Sequence, residues 1–395
     1  LRVAKLVETP LYSALVKILC APDSFKDSLP ANKVAVAMQR GIERAFPRAE
    51  IDCCPVADGG EGTASIVAAA DASAVARRIA VSGPLGSPVD AEFFCLPDQH
   101  LAVLDMATAA GLMRIPQELR NVMRTTTYGV GELLLAACRA GLPRVVVGVG
   151  GSASNDGGCG MAQALGVRFF DEADRPISTA ICGANLPSID RIDASGLDPA
   201  VQDAEIVVAC DVDNPLTGPN GSARVYAAQK GANDEQIAQL DRGLMHLAAI
   251  VQRDLGIDLT TLPRAGAAGG LAAGLRAFAG GRLASGVDIV LDAVQFDRRV
   301  RDCDLCLTGE GRLDGQTLAG KACLGVARRA SSAGIRTVAL VGSLGEDADR
   351  TLHSGLTAYE LIGSGLPAEE SMHRVEELLA ATAERVVRRY STPNS

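Results

Sequence analysis

At both ends of the chain, short apolar runs alternate with stretches whose apolar residues recur every three or four positions. KILCA (17–21) predicts a strand and is followed by a helical pattern over 31–45. IDCCPVA (51–57) predicts a second strand, then a Gly-rich turn and another helix. The last third repeats the alternation: DLCLTG (304–309), a helix over 318–333, IRTVALVG (335–342), TAYELIG (357–363) and a helix over 367–389. In that final helix Val375, Leu378, Leu379, Thr382 and Val386 keep helical spacing, and Pro367 suits a first turn. Strands alternating with helices predict a parallel sheet covered on both faces.

The middle of the chain breaks this pattern. Residues 74–105 hold three extended runs, AVARRIAVSG, VDAEFFCL and LAVLDMA, with no room for helices between them. Hairpins in a mixed sheet are predicted there. A helix over 129–140 feeds the strand RVVVGV (144–149). A long amphipathic helix begins at Asn233, with Gln236 placed for a capping box and Ile237, Leu240, Leu244, Leu247, Ala248 and Val251 on its apolar face. Composition shifts near 75–80 and 285–295 predict an insertion. The expected fold is α/β with two domains: a doubly wound parallel sheet from 16–75 and 290–395, interrupted by a mixed α/β domain over 76–289, with 1–15 as an N-terminal extension.

Composition narrows the function. The 395 residues are 48% hydrophobic and 22% charged, enough for real cores and too apolar for a disordered chain. A net charge of −9, 3% aromatics and no Trp argue against a nucleic-acid surface. No run of 18 apolar residues occurs, so no membrane helix is expected, and the N-terminus does not read as a signal peptide. Eleven irregularly spaced cysteines in mostly apolar runs fit free thiols in a reducing cytoplasm. The pair Cys303–Cys306 reads as a buried strand segment, because no second ligand pair follows at zinc spacing.

Five loops carry candidate chemistry. The first, Pro22–Ser28, follows a strand and offers Asp23, Ser24 and Lys26 where α/β sheets bind ligands. The second, Ala57–Thr63, joins Gly-rich backbone to a helix start; Asp58 and Glu61 suit it to a phosphate only if magnesium lies between. The third, Gly148–Gly158, reads as a phosphate cradle with Ser152, Ser154, Asn155 and Asp156, and it fails the dinucleotide fingerprint. The fourth places Asp211 after the strand EIVVACD, with Lys230 downstream; its carboxylates read as magnesium ligands or a base. The fifth, Thr308–Lys321, holds Arg312 and Lys321. Its G-x-x-x-x-G-K run lacks the hydroxyl a Walker motif needs, since Ala322 stands there. An acidic chain that sets its few cations (Lys26, Arg124, Lys230, Arg312, Lys321) beside such turns points to phosphoryl transfer on a small anion.

Together these loops closely resemble the bacterial glycerate kinases of the two-domain, type 1 class. The matching stretches are APDSFKDSL (21–29), PVADGGEGT (55–63), RTTTYGVGEL (124–133), GVGGSASNDGG (148–158), ACDVDNPLTGPNGSA (209–223), YAAQKGA (226–232), GAAGGLAAGL (266–275) and LTGEGRLDGQTLAGK (307–321). The match runs in order from about 16 to 389. Departures are small: Ser154 stands where Thr is expected, Ala272 where Gly is usual and Cys323 where Pro often follows.

The resemblance implies phosphorylation of D-glycerate by ATP with Mg2+, a Rossmann-like domain built from both chain ends, and a site in the interdomain cleft. It implies small-molecule partners, with no nucleic acid or membrane, and a cytoplasmic enzyme. For this reaction Asp58 and Asp211 are candidates for base or metal ligand, and Lys26 and Arg312 for neutralising phosphate. Ser152, Ser154 and Asn155 would form a cradle, and Arg124 would pair with the glycerate carboxylate. Asp23, Ser24, Asp156, Lys230 and Lys321 complete the candidate binding set. The expected product is 2-phosphoglycerate, with 3-phosphoglycerate as the alternative. A dinucleotide-dependent dehydrogenase of a small hydroxy acid is a more distant rival.

Overall fold

A computed structural model describes residues 16–26, 28–314 and 321–390. The expected extension over 1–15 and most of the G-x-x-x-x-G-K run lie outside the described residues. In chain order the strands are β1 (Lys17–Cys20), β2 (Glu50–Cys53), β3 (Val75–Ser82), β4 (Pro88–Leu96), β5 (Leu101–Asp105), β6 (Arg144–Gly148), β7 (Arg168–Phe170), β8 (Arg191–Asp193), β9 (Glu205–Ala209), β10 (Arg282–Ala284), β11 (Leu305–Leu313), β12 (Thr337–Leu344) and β13 (Ala358–Leu361). The chain divides into two compact units. One comprises the described residues up to Val56, 295–314 and those from Ala322 onward; the other is Ala57–Val294 together with Lys321.

In the first unit the sheet order is β13-β12-β11-β1-β2, with every pair parallel. The uninterrupted apolar run of β12 explains why both faces are covered. Val338 and Leu340 join one core with Ile18, Leu305, the helix Ala31–Ala45 (Val34, Met38, Ile42) and the helix Val375–Tyr390 (Leu379, Val386). Ala339 and Val341 point the other way, into a second core with Leu313 and with Cys323, Leu324 and Ala327 of the helix Ala322–Ser332. β1 has β2 on one side and β11 on the other, so the chain leaves it in opposite directions. That makes the β1/β11 edge a topological switch point, where open α/β sheets bind ligands beyond their carboxyl ends.

Some boundaries differ from the sequence expectation. β2 stops at Cys53, before Pro55, which has no N–H to continue the ladder. β11 runs on to Leu313 because β12 keeps pairing with it as far as Leu344. The helix expected over 367–389 is two, Ala368–His373 and Val375–Tyr390, because Arg374 leaves helical geometry (φ −104°, ψ 16°).

The second unit holds a mixed sheet of order β10-β9-β6-β5-β4-β3. β3, β4 and β5 form an antiparallel meander, while β5, β6, β9 and β10 run parallel. The short strands β7 and β8 pair apart from it. Asn233 caps the long helix Asp234–Leu255 reciprocally: its side chain accepts the Gln236 N–H at 2.9 Å, and the Gln236 side chain accepts the Asn233 N–H at 3.0 Å. All six residues expected on the apolar face are buried. The helix Thr63–Ala69 packs on β4, β5 and the helix Gly286–Ala293, within this unit. The composition shift near residue 75 marks the first antiparallel strand, whereas the unit itself begins at Ala57.

Candidate functional site

In the first unit, the residues after β1 lie along the end of β11. The Asp23 N–H donates to Gly309 O at 2.9 Å, and the Thr308 hydroxyl donates to Ala21 O at 2.8 Å. Asp23 is buried, and its carboxylate accepts the Ser24 N–H at 2.6 Å. Phe25 anchors the loop in the core and pairs with Leu29, which leaves Lys26 exposed at the turn. On the facing strand end, Arg312 is exposed and pairs with Asp314 at 3.1 Å. Two residues before Arg312, Glu310 is a buried carboxylate that stands in the quoted motif but was not selected from the sequence. Asp23, Ser24, Lys26 and Arg312 thus gather at the switch point. Lys321 is half-buried immediately before the helix Ala322–Ser332.

In the second unit three Gly-rich loops converge at the carboxyl ends of β5, β6 and β9, and close backbone approach brings them together. A Cβ on Gly150 would lie 2.4 Å from the Gly60 Cα; one on Gly286 would lie 2.6 Å from both Asp58 O and the Gly59 Cα. This packing sets Asp58 beside Asp211. Asp58 accepts the Gly60 N–H at 3.1 Å. Asp211 accepts the N–H groups of Gly286 and Val287 at 3.1 and 2.7 Å, at the start of the helix Gly286–Ala293. Burial pushes the Asp211 carboxyl up to about 7, and the negative charge of Asp58 adds to the rise.

The third loop surrounds a buried lysine. Lys230 is 3% exposed, and its Nζ donates to the Ser152 Oγ at 2.6 Å and to Ser154 O at 2.8 Å. Burial lowers its ammonium to about 7, and Asp156 opposes that fall. Asp156 is fully buried and accepts four hydrogen bonds, from the Thr127 N–H and hydroxyl (both 2.8 Å) and from the N–H groups of Gly158 (3.1 Å) and Gly160 (3.3 Å). Burial raises its carboxyl against those donors. The Ser154 Oγ and both polar atoms of the Asn155 amide are buried with no hydrogen-bond partner. Each such atom costs about 1–3 kcal/mol unless a water or ligand satisfies it. Ser152, Ser154, Asn155, Asp156 and Lys230 therefore form one cluster, whereas Arg124 is exposed on the turn before Thr125.

Two residues of the second unit went unselected in the sequence. Asp105, at the end of β5, accepts the Gly62 and Ala64 N–H groups at 2.9 and 3.1 Å and so holds the Asp58 loop; burial pushes its carboxyl up to about 7. Arg120 has a buried Nε without a partner, and its carbonyl lies against Gly231, next to Lys230. Its signal is structural: an unpaired buried donor beside a buried cation.

The family model of the glycerate kinase family matches residues 18–391. The chain belongs to the glycerate kinase family. It is 44% identical to a glycerate kinase of Halalkalibacterium halodurans, over 93% of this chain and 97% of that one. It is 43% identical to a glycerate 2-kinase of Escherichia coli, over 87% of this chain and 89% of that one. A crystal structure from Salmonella typhimurium LT2 assigned as glycerate kinase 2 superposes with a TM-score of 0.80 at 40% identity, covering 95% of this chain and 98% of that one. These relatives make the chain a kinase, and its two α/β sheets belong to that fold. Among the described residues no helix is long and apolar enough to cross a membrane.

A carboxylate that burial pushes up to about 7, with the charge of Asp58 adding to the rise, is in the state a divalent cation would relieve. Both offer hard oxygen donors. Among the described residues no group of three or more His, Cys, Asp or Glu side chains gathers to hold a metal. One or two carboxylates completed by substrate phosphates is the usual setting for magnesium, so Asp58 and Asp211 fit it.

Proposed function

We propose that this chain transfers the γ-phosphoryl group of ATP to the C2 hydroxyl of D-glycerate, giving 2-phosphoglycerate and ADP. The observation that carries the glycerate assignment is the buried Lys230 ammonium set among unpartnered Ser154 and Asn155 atoms. A substrate with one carboxylate and two hydroxyls supplies what that cluster lacks. Lys230 and Arg120 would take the carboxylate, and Ser152, Ser154 and Asn155 the hydroxyls. Asp156 holds the loop that presents them.

At the switch point of the first unit, Lys26 and Arg312 would neutralise phosphate charge, with Asp23 and Ser24 shaping the loop between them. Asp58 and Asp211 would hold magnesium, which supplies charge neutralisation on the phosphates when bound. Phosphoryl transfer asks the protein mainly for positioning and electrostatics, and these groups offer both. Transfer to C2 is supported by the 43% identity to the glycerate 2-kinase. It requires the carboxylate to be anchored close to the reacting hydroxyl.

The test is ADP formation that depends on D-glycerate, followed by coupling to enolase and pyruvate kinase. Signal without phosphoglycerate mutase identifies the 2-phosphate. Signal only after the mutase is added identifies the 3-phosphate and overturns the regiochemistry. No glycerate-dependent ADP overturns the activity.

Two further outcomes follow from these roles. Lys26→Ala should lower kcat/KM at least about tenfold in a folded protein, since one lost transition-state charge contact commonly costs about 2–4 kcal/mol. An unchanged kcat/KM removes Lys26 from the machinery. The profile of kcat/KM for glycerate should be bell-shaped with both limbs near pH 7. As pH falls Asp211 takes a proton and loses its hold on magnesium; as pH rises Lys230 loses the charge that binds a carboxylate. Raising magnesium should move only the acid limb, to lower pH. A profile flat between about pH 5 and 9 contradicts both assignments.

A further inference from the structure

We propose that Cys20 and Cys53 are a redox pair that closes a reversible disulfide on reaction with a hydroperoxide and thereby suppresses phosphoryl transfer. The regulatory half rests on the function proposed above; the bond itself does not.

The sheet places the two thiols together. β1 and β2 are parallel neighbours, and Cys20 stands directly opposite Cys53 in their register. Adjacent strands lie about 4.8 Å apart, and residues in register point to the same face. A disulfide spans Cα atoms about 4.4–6.8 Å apart, which this pair meets, but it needs Cβ atoms about 3.5–4.5 Å apart, so closing it draws the two strand ends together. Both thiols face the helix Ala31–Ala45. Cys20 lies in the core with Val34 and Met38, and the Cys53 Sγ is 3.8 Å from Ala35 O and 3.5 Å from the Gln39 Oε1.

Their environments divide the labour. Cys53 is half-buried, so a small peroxide reaches it, whereas Cys20 is fully buried. The adjoining Cys20 thiol holds the Cys53 thiol below its usual range against the effect of burial, with the Arg299 guanidinium assisting, while Cys53 and burial push Cys20 up. Neighbouring cysteines do not compete. Cys54 follows Cys53 directly, is buried, and is pushed up to about 12 by that burial. Cys306 is in register with Leu19, one residue from Cys20, and so faces the other side of the sheet.

The chemistry balances. The Cys53 thiolate attacks one peroxide oxygen, the O–O bond breaks, and the leaving oxygen departs as water after taking a proton. Cys53 is then a sulfenic acid. The Cys20 sulfur attacks the Cys53 sulfur, the S–O bond breaks, and hydroxide leaves as water with the Cys20 proton. Two thiols are oxidised by two electrons and hydrogen peroxide is reduced to two waters; a dithiol returns the electrons and protons. The bond would tie the ends of the strands that lead directly into Asp23–Lys26 and toward Asp58. Those two loops are also joined by the Val56 N–H to Pro22 O bond at 2.9 Å.

The test uses the whole reduced protein with hydrogen peroxide, thiol alkylation and tryptic digestion. Peptide 18–26 should appear linked to peptide 49–77, two hydrogens lighter than their sum. Cys53→Ser should abolish the link and Cys54→Ser should preserve it. Should Cys53→Ser fail to fold, Cys20→Ser gives a second route, leaving a Cys53 sulfenic acid that dimedone traps. Activity should fall at least about tenfold as the link accumulates, as misplaced phosphate-binding groups commonly cause, and should return with dithiothreitol. A link through Cys54, or none in folded protein, overturns the pair. A fully linked enzyme with undiminished activity overturns the switch. A reduced enzyme without glycerate-dependent turnover refutes the proposed function and leaves the mass readout to decide the bond.

Discussion

Lys230→Met lowers kcat/KM for glycerate by about 10²–10³-fold and leaves the fold intact. Methionine fills similar volume but removes the one ammonium that reaches the Ser152 Oγ and Ser154 O. Loss of a buried charge contact to a substrate carboxylate costs about 2.7–4 kcal/mol, which sets that range. Stability falls by about 1–3 kcal/mol, because the buried Ser154 O loses its donor, while the charge itself matters less since burial has already lowered the Lys230 ammonium to about 7. Asp156 keeps its four hydrogen bonds. Steady-state kinetics should also show the alkaline limb of the pH profile disappear, since the group that titrates there is gone. A loss smaller than about threefold, below about 1 kcal/mol, places glycerate elsewhere.

Asp156→Ala has the largest expected effect on stability. The change strands the Thr127 N–H and hydroxyl and the N–H groups of Gly158 and Gly160, all around a fully buried side chain. Unsatisfied buried donors cost about 1–3 kcal/mol each, and partial relaxation brings the expected sum to about 3–5 kcal/mol. At about 2–4 °C per kcal/mol for a unit of this size, Tm falls by roughly 6–20 °C. Thermal unfolding measures it directly. Asp156→Asn, which still accepts hydrogen bonds, should lose less than half as much. Equal losses from the two variants mean that Asp156 acts through its charge rather than through its hydrogen bonds.

Features written in neighbouring residues were legible from the sequence. Asn233 and Gln236 are three positions apart, so the cap of the long helix could be read directly. The apolar runs of β1, β11 and β12 and the meander β3–β5 were equally plain. β7, β8 and β10 were not, because three residues carry no period. The loops that hold candidate chemistry stood out by their glycines, but two facts about them were hidden. Lysine is a surface residue by habit, and nothing in YAAQKGA says that Lys230 is buried. Asp105 ends an ordinary strand, and its partners at Gly62 and Ala64 lie 43 and 41 positions earlier. Roles that depend on burial or on distant partners require the fold before they can be seen.

The place of β1 between β2 and β11 also governs the order of assembly. Ile18 pairs with Leu305 across 287 positions of chain, so the first sheet cannot close until most of the chain has been synthesised. Closing so long a loop carries an entropic cost that grows slowly with its length. The second unit shortens it. Once that unit folds, Gly59 near its start and Gly286 near its end are in close backbone approach. The inserted unit therefore acts as a clasp on its own ends, and β1 must wait for it during translation. Mutations that slow the inner unit would leave the β11-facing edge of β1 unpaired, a kinetic hazard that falls on residues far from the mutation.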